Sequence, residues 1–271
     1  MRKIEIMSEK SKGAPFSKKE TLFPIVKDME RRWGLTLASF LPPDAQEQVE
    51  SLQEKVKKIA YGNTRPADPS IEPSIEFYKP SHLHCTHYTL TRSNAWGRVR
   101  IQDFVKSGHN LFELFEIINE ITTQIPFINV LFSTLMFSFE GIGIALLGEC
   151  SDVASVENRR KLLGYLNGHL KGAFNIDPRS WDRDPSKYHL LHCQIGFLKR
   201  PIENFDIFAE KVCTMDFDPI TFTVTDVAIV HHLYRSLSAP PEGVFSIPLG
   251  LDQRNIISKN DFIRKLNLAN I

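Results

Sequence analysis

The tripeptide Leu-His-Cys occurs twice in this chain, at residues 83 to 85 and again at residues 191 to 193. Each copy lies in an apolar run that resembles a β-strand, HLHCTHYTLTR at 82 to 92 and HLLHCQIGFLKR at 189 to 200. Because alternate side chains of a strand share a face, His84 and Thr86 would project together from the first run, and His192 and Gln194 from the second. Each strand therefore offers one imidazole and, two residues further on, one neutral hydrogen-bonding group.

Two imidazoles can provide both a general base and a general acid, because imidazole titrates near neutral pH. A hydroxyl at Thr86 and an amide at Gln194 can hold phosphate oxygens without adding charge. This set suits in-line displacement at phosphorus, in which one histidine deprotonates the attacking hydroxyl or water and the other protonates the leaving oxygen. The pattern predicts His84 and His192 as the catalytic pair, Thr86 and Gln194 as substrate-binding residues, and neither a metal nor a cofactor.

Other interpretations of these histidines remain open. They could be buried residues that only hydrogen-bond within the core. They could also bind zinc, since His82 and His84 share a face and His192 would be a third ligand, although neither motif has a carboxylate at short spacing. Finally, His87 and Thr89 repeat the histidine-to-threonine spacing on the opposite face, and only one of the two sets can face the site. The shared Leu-His-Cys context favours the register of His84.

Further residues near the motifs are predicted to be structural or exposed. Arg92 and Arg200 stand eight positions after their histidines, about 26 Å along a strand, which is too far to hold the same phosphate. Tyr88 is expected to pack in the core, with stacking on a nucleobase as the alternative. His231 and His232 are expected to be structural.

The composition describes an ordinary soluble chain. It has 271 residues, 42% of them apolar and 24% charged, and a formal charge of +1, so no overall field favours a nucleic acid. Four cysteines without a C-x-x-C pair predict a reduced, cytoplasmic protein. Residues 125 to 148 contain no Lys or Arg, but Pro126 and Glu140 interrupt the run and Gly141 and Gly143 fit a turn, so two buried strands are expected rather than a membrane span.

Periodicity divides the chain into a basic extension (1–33), a folded domain (34–250) and a helical tail (251–271). Within the domain the predicted order is β-α-β-α-β-β-α-β-α-β, followed by a final helix. The predicted elements are a strand at 35–41, a helix from Asp44, the first histidine strand, a helix from Asn110 to before Pro126, strands at 128–139 and 142–148, a helix at about 155–171, the second histidine strand, a helix near 202–212, one strand over ITFTVTDVAIVHHLYR, and a helix from Ser258.

The motifs H-C-T-H and H-C-Q-I resemble the paired H-x-T/S-x motifs of the 2H phosphoesterase superfamily, which includes RNA 2′,5′ ligase-like proteins and cyclic nucleotide phosphodiesterases. H-C-Q-I-G-F also resembles the H-x-T-hydrophobic-G-aromatic form of that superfamily's second motif. The stretches LTLASFLPPDAQEQVESLQEKVKK and FSTLMFSFEGIGIALLG extend the resemblance over residues 34 to 250. One departure is Gln194, which stands where the superfamily has Thr or Ser.

This resemblance implies an α+β fold with two pseudo-symmetric lobes, whose antiparallel sheets flank a central cleft. It also implies a metal-independent phosphoesterase acting on a 2′,3′-cyclic or 2′-5′ phosphodiester of RNA or a nucleotide, with ligation as a further possible direction. We expect a monomer that binds neither membrane nor DNA. The departure at Gln194 keeps a second hypothesis open, a nucleotide- or RNA-binding module with little or no catalysis. A scaffold protein whose histidines are core residues is a third.

Overall fold

The computed structural model describes residues 33–61, 75–90, 111–138, 143–174, 184–199, 202, 204–233, 244–250, 258, 260–262 and 264. Residues 1–32 of the predicted basic extension, most of the helical tail, Arg92 and Arg200 lie outside these residues, and Trp33 begins the first strand.

Nine strands and four α-helices make up the described part of the chain. In chain order they are β1 (Trp33–Phe40), α1 (Pro43–Tyr61), β2 (Ile75–Phe77), β3 (His84–Thr89), α2 (Leu111–Thr122), β4 (Ile128–Ser138), β5 (Gly143–Cys150), α3 (Val153–Phe174), β6 (Leu190–Leu198), α4 (Phe205–Cys213), β7 (Ile220–Val224), β8 (Asp226–Leu233) and β9 (Val244–Pro248). Short 3₁₀ turns at Pro80–His82 and Pro185–Lys187 precede the two histidine strands.

The strands form two antiparallel sheets, one ordered β3-β1-β8-β9 and the other β2-β6-β5-β4-β7. We call them the four-stranded and the five-stranded sheet. Each contains one of the two histidine strands, β3 in the first and β6 in the second. The predicted α+β class with two antiparallel sheets is therefore confirmed.

The helices form because their apolar residues recur at helical spacing and can be buried on one side. In α1, Val49, Leu52 and Val56 are buried, and the helix contacts β6, β7 and α4. Helix α3 contacts β4, β5 and α2. Both helices therefore pack against strands of the five-stranded sheet.

The apolar stretch at 125 to 148 forms strands β4 and β5, as predicted, rather than a membrane-spanning helix. No helix in the described part of the chain is long and apolar enough to cross a bilayer. The two strands approach closely at Gly148, where a Cβ atom would collide with the backbone oxygen of Leu131. A register shift between Phe132 and Thr134 lies beside this contact, so glycine is required there by the close approach of the bulged strand.

The structure corrects the predicted strand over ITFTVTDVAIVHHLYR. The run divides at Thr225, so that β7 joins the five-stranded sheet beside β4 and β8 joins the four-stranded sheet between β1 and β9. Strands β2 and β9 were not predicted. Ser258 begins a helical turn as expected, since its Oγ hydrogen-bonds Asp261, and Phe262 packs between aromatic rings of α2 and β9.

Candidate active site

The two histidine strands lie against each other at the junction of the sheets. The Cys85 thiol lies near the backbone of His192, and the Cys193 thiol lies near the backbone of His84. The cysteine of each motif thus contacts the histidine of the other. Such a reciprocal contact is the relation produced by a local two-fold axis. The repeated Leu-His-Cys tripeptides therefore meet in space.

Both strands also have the same irregularity. The register of β3 against β1 skips His87, and the register of β6 against β5 skips Ile195. Each skipped residue is the third after the motif histidine. A bulge at this position leaves the side chains of residues 84 to 86 and 192 to 194 alternating regularly between the two faces of their strands. After the bulge the alternation is shifted by one residue. The local symmetry therefore extends from the thiol contacts to the backbone of the strands.

Alternation places the histidines on the side away from the thiols. Cys85 and Cys193 are both fully buried, so their side chains point into the core between the strands. His84 and Thr86, and likewise His192, therefore project from the opposite side. We call this side of each sheet its histidine face. His192 and Thr86 are partly exposed there.

The imidazole of His84 is held in one orientation. Its Nδ1–H donates to the backbone oxygen of His82 at 2.8 Å, and the rings of Phe40 and Tyr78 lie edge-on with centroids 6.4 Å away. In the neutral ring this hydrogen bond leaves the lone pair on Nε2. The 3₁₀ turn at Pro80–His82 supplies the carbonyl. His82 therefore contributes its backbone to the site and does not lie on the strand, contrary to the face predicted for it.

His87, the residue of the alternative register, has its ring in the core. Its Nδ1 accepts a hydrogen bond from Arg159 Nη1 at 2.7 Å, and its Nε2–H donates to Ser39 Oγ at 2.9 Å. The hydroxyl of Ser39 donates in turn to the backbone oxygen of Asp226. Burial, the Arg159 guanidinium and then His84 hold the pKa of His87 well below its ordinary value. His87 is therefore a neutral, fully hydrogen-bonded core residue.

Arg159 connects the two histidine strands from helix α3. The side chain is 2% exposed, and besides His87 on β3 it donates through Nη2 to the backbone oxygen of Leu190 on β6 at 3.2 Å. One guanidinium therefore holds both strands beneath the site. The next residue, Arg160, is exposed and pairs with Glu157.

Gln194 lies at the bulge of β6 and is buried. Its Nε2 donates to the backbone oxygens of Ile144 at 3.1 Å and Gly196 at 2.6 Å. These bonds satisfy carbonyl groups where the ladder between β5 and β6 is irregular. The predicted donation from Gln194 to a phosphate stays a prediction, and it requires that at least one of these bonds be exchanged.

Several other candidates are structural. Tyr88 is fully buried and donates to Asn167, which donates in turn to Tyr188, so base stacking by Tyr88 is wrong. His231 is 3% exposed. Among the described residues, no group of three or more His, Cys, Asp or Glu side chains is arranged to bind a metal ion.

The structure adds residues that sequence analysis did not select. Phe40 and Tyr78 flank His84, and Arg159 is hydrogen-bonded to His87 on the same strand. Phe40 could have been found, since it ends an alternating strand. Helical spacing distinguishes Arg159 from its exposed neighbour Arg160, because Leu162, Leu166 and Leu170 follow Arg159 at three, seven and eleven positions and share its buried face.

No family model and no curated protein matches this chain. Similar solved structures include TT0787 of Thermus thermophilus, with 15% identity, a TM-score of 0.43, and coverage of 80% of this chain and 94% of that one. E. coli LigT complexed with 3′-AMP has 12% identity and a TM-score of 0.41, covering 81% and 95%. Kluyveromyces marxianus Usb1 with uridine monophosphate has 14% identity and a TM-score of 0.40, covering 81% and 99%.

These proteins are of the class that the paired motifs resemble, the 2H phosphoesterases. At such identities and TM-scores, however, the likeness is too low to assign an activity or a residue's role to this chain. Any function assigned to the chain therefore rests on the residues of the two histidine strands.

Proposed function

We propose that this chain is a metal-independent phosphoesterase of the 2H type, acting on a 2′,3′-cyclic or 2′-5′ phosphodiester of RNA or a nucleotide. The observation that carries the proposal is the reciprocal contact of Cys85 with the His192 backbone and Cys193 with the His84 backbone. It supports the proposal because it brings the backbones of two histidines from distant parts of the chain close together.

His84 is the proposed general base. Its Nδ1–H bond to His82 directs the neutral lone pair to Nε2, which can accept a proton from water. As the water oxygen bonds to phosphorus, the bond from phosphorus to the 2′ or 3′ oxygen breaks. His192, the more exposed of the two, is the proposed acid that protonates this leaving oxygen. Transfer of the proton from His84 back to His192 through solvent would complete the cycle.

Thr86 is the proposed phosphate ligand. Its hydroxyl lies on the histidine face two residues after His84 and is partly exposed, so it can donate to a non-bridging oxygen. Gln194 occupies the matching position after His192. Its amide now donates to backbone carbonyls, so phosphate binding would be asymmetric, with Thr86 contributing more.

The test is to incubate the protein with 2′,3′-cyclic nucleotides and 2′-5′ linked dinucleotides in the presence of EDTA. We expect turnover that falls by about 10²- to 10⁴-fold in His84→Ala and in His192→Ala, the range typical for loss of a general acid or base. His169→Ala is a matched control, because His169 is exposed on α3 and stacks on Tyr165. Turnover unaffected by either active-site substitution, or abolished by EDTA, would refute the mechanism.

One observation favours a second function, a nucleotide- or RNA-binding module. The amide of Gln194 is engaged by two backbone oxygens, which reduces the donors available to a transition state. This hypothesis predicts binding of nucleoside monophosphates without turnover of any cyclic or 2′-5′ linked substrate. Calorimetric binding beside the turnover assay distinguishes the two functions.

A further inference from the structure

The histidine face of the four-stranded sheet continues beyond the histidine strand. Thr86 lies opposite Ala38, Ala38 opposite Ala228, and Ala228 opposite Ser246. Directly opposed residues in antiparallel strands share a face. Ser246, on the far edge strand β9, therefore lies on the same face as Thr86.

Asp226 belongs to this face as well. It stands two residues before Ala228 on β8, and the register of β8 against β9 is regular from Asp226 onwards. Ser246 Oγ donates to Asp226 Oδ1 at 3.3 Å, which joins the two side chains. Asp226 is partly exposed and Ser246 is exposed, so both can be reached from this side of the sheet.

Phe40 lies between the histidine and the carboxylate. It is directly opposite His84 on the neighbouring strand β1, and its ring is 6.4 Å from the imidazole. Strand β8, which carries Asp226, is the next strand after β1. Two strand spacings place the backbone of Asp226 about 10 Å from that of His84. An imidazole, an aromatic ring and a carboxylate thus follow one another across the sheet.

The carboxylate of Asp226 has the same sign of charge as a phosphate, so the two repel each other. Burial raises the pKa of its carboxyl, while the Ser246 and Thr225 side chains act in the opposite direction by hydrogen bonding. A partly desolvated carboxylate is an acceptor only, and it is stabilised by ligand groups that donate hydrogen bonds. It repels a second anion. A ligand whose phosphate lies at His84 would therefore present donors, not phosphate, to this end of the face.

We infer that Phe40, Asp226 and Ser246 form a nucleobase subsite that selects guanine. The inference rests on the proposed function, which places the phosphate at the two histidines. The base stacks on Phe40, and its Watson–Crick edge reaches Asp226. Guanine offers two adjacent donors on that edge, N1–H and the N2 amino group, to the two oxygens of one carboxylate. Adenine and cytosine each offer one amino group there, and uracil offers one N–H between two carbonyl oxygens.

The experiment measures binding of the four nucleoside 3′-monophosphates to the full chain by calorimetry. We expect guanosine monophosphate to bind about tenfold more tightly than the other three, as for one bidentate base contact. Asp226→Asn, which is nearly isosteric, is expected to reduce the preference to less than about twofold. Asp218→Asn is the matched control, since Asp218 is exposed and lies before β7 of the other sheet.

Phe40→Leu gives an independent readout if Asp226→Asn does not fold. The substitution is expected to weaken the binding of all four nucleotides by about fivefold or more, because stacking does not depend on base identity. Guanosine monophosphate should still bind most tightly. Equal binding of the four nucleotides, or a guanosine preference that survives in Asp226→Asn, would overturn the inference and leave the phosphoesterase proposal standing. Absence of any nucleotide binding would overturn both.

Discussion

The backbone of His192 lies near the thiol of Cys85, a residue 107 positions earlier in the chain. The converse contact joins Cys193 to His84. Neither pair belongs to a backbone ladder, because β3 and β6 lie in different sheets. Two buried cysteine side chains therefore lie where the proposed catalytic strands meet.

Buried thiols at this junction should resist alkylation. Burial raises the pKa of Cys85 to about 12 and that of Cys150 to about 11, and it also raises that of Cys193. At pH 8 about one Cys85 thiol in ten thousand would be ionised, and the thiolate is the reactive form. We expect iodoacetamide to modify only the exposed Cys213 in the folded protein, with all four thiols reacting in denaturant, as followed by mass spectrometry. Rapid native labelling of Cys85 or Cys193 would show that the strands separate readily.

Loss of Arg159 should destabilise the fold strongly. Arg159→Met leaves His87 Nδ1 and the Leu190 oxygen without the donors that now satisfy them. We expect the free energy of unfolding to fall by about 2 to 5 kcal/mol, measured by urea denaturation. The control is Arg160→Met, at an exposed position, which should change the free energy of unfolding by less than about 0.5 kcal/mol. Similar effects of the two substitutions would contradict the role given to Arg159.

His87 should make stability depend on pH. Its pKa is lowered in the folded protein, so below the ordinary histidine pKa of 6.5 the unfolded chain binds a proton that the folded chain does not. Stability contributed by His87 is therefore present above pH 6.5 and is lost as the pH falls, by at most about 1.4 kcal/mol per pH unit.

His87→Gln removes this titration and can still accept from Arg159 and donate to Ser39. Denaturation curves between pH 7 and pH 5 should show a smaller loss of stability in His87→Gln than in the parent protein. Parallel curves for the two proteins over this range would mean that His87 takes up its proton in the folded state.

Substitution of Gln194 by Thr should change stability and activity in opposite directions. Gln194→Thr removes the amide that bonds to Ile144 and Gly196, so we expect a loss of about 1 to 3 kcal/mol in the free energy of unfolding. It also places a hydroxyl two residues after His192, matching Thr86, so kcat for a 2′,3′-cyclic nucleotide is expected to rise several-fold. A fall in kcat without loss of stability would indicate that the amide itself contacts the substrate.

The sequence allowed the elements with strong periodicity to be predicted. The helix from Asp44, the β4–β5 hairpin and the two histidine strands follow from apolar spacing and turn residues, and the duplicated tripeptide indicated which strands meet. The alternation of Ile220, Phe222 and Val224 breaks after Thr225, but a break of this kind fits a bulge within one strand as well as a change of sheet, so the division could not be predicted. Strand β2 is three residues long and follows a Pro-rich stretch, too short for any period to be detected.

The finer geometry of the site depends on contacts between distant residues. A bulge such as that at His87 inserts one residue and leaves no mark in composition. The engagement of Gln194 arises from the corresponding bulge in β6, and the Arg159 side chain is held by His87 on β3 and the Leu190 backbone on β6. Residue types therefore indicated the chemistry, while tertiary contacts decided which neighbours are available to perform it.

The position of β1 constrains the order in which the protein can be assembled. Strand β1 pairs with β3 on one side and with β8 on the other, and β8 begins 186 residues after β1 ends. During synthesis on a ribosome, the edge of β1 that pairs with β8 therefore stays unpaired until β8 has been synthesised. Until β8 arrives, an apolar strand has unpaired backbone groups that can join a neighbouring chain. Nascent-chain chaperones, or synthesis slow enough to keep copies apart, would protect this edge during translation.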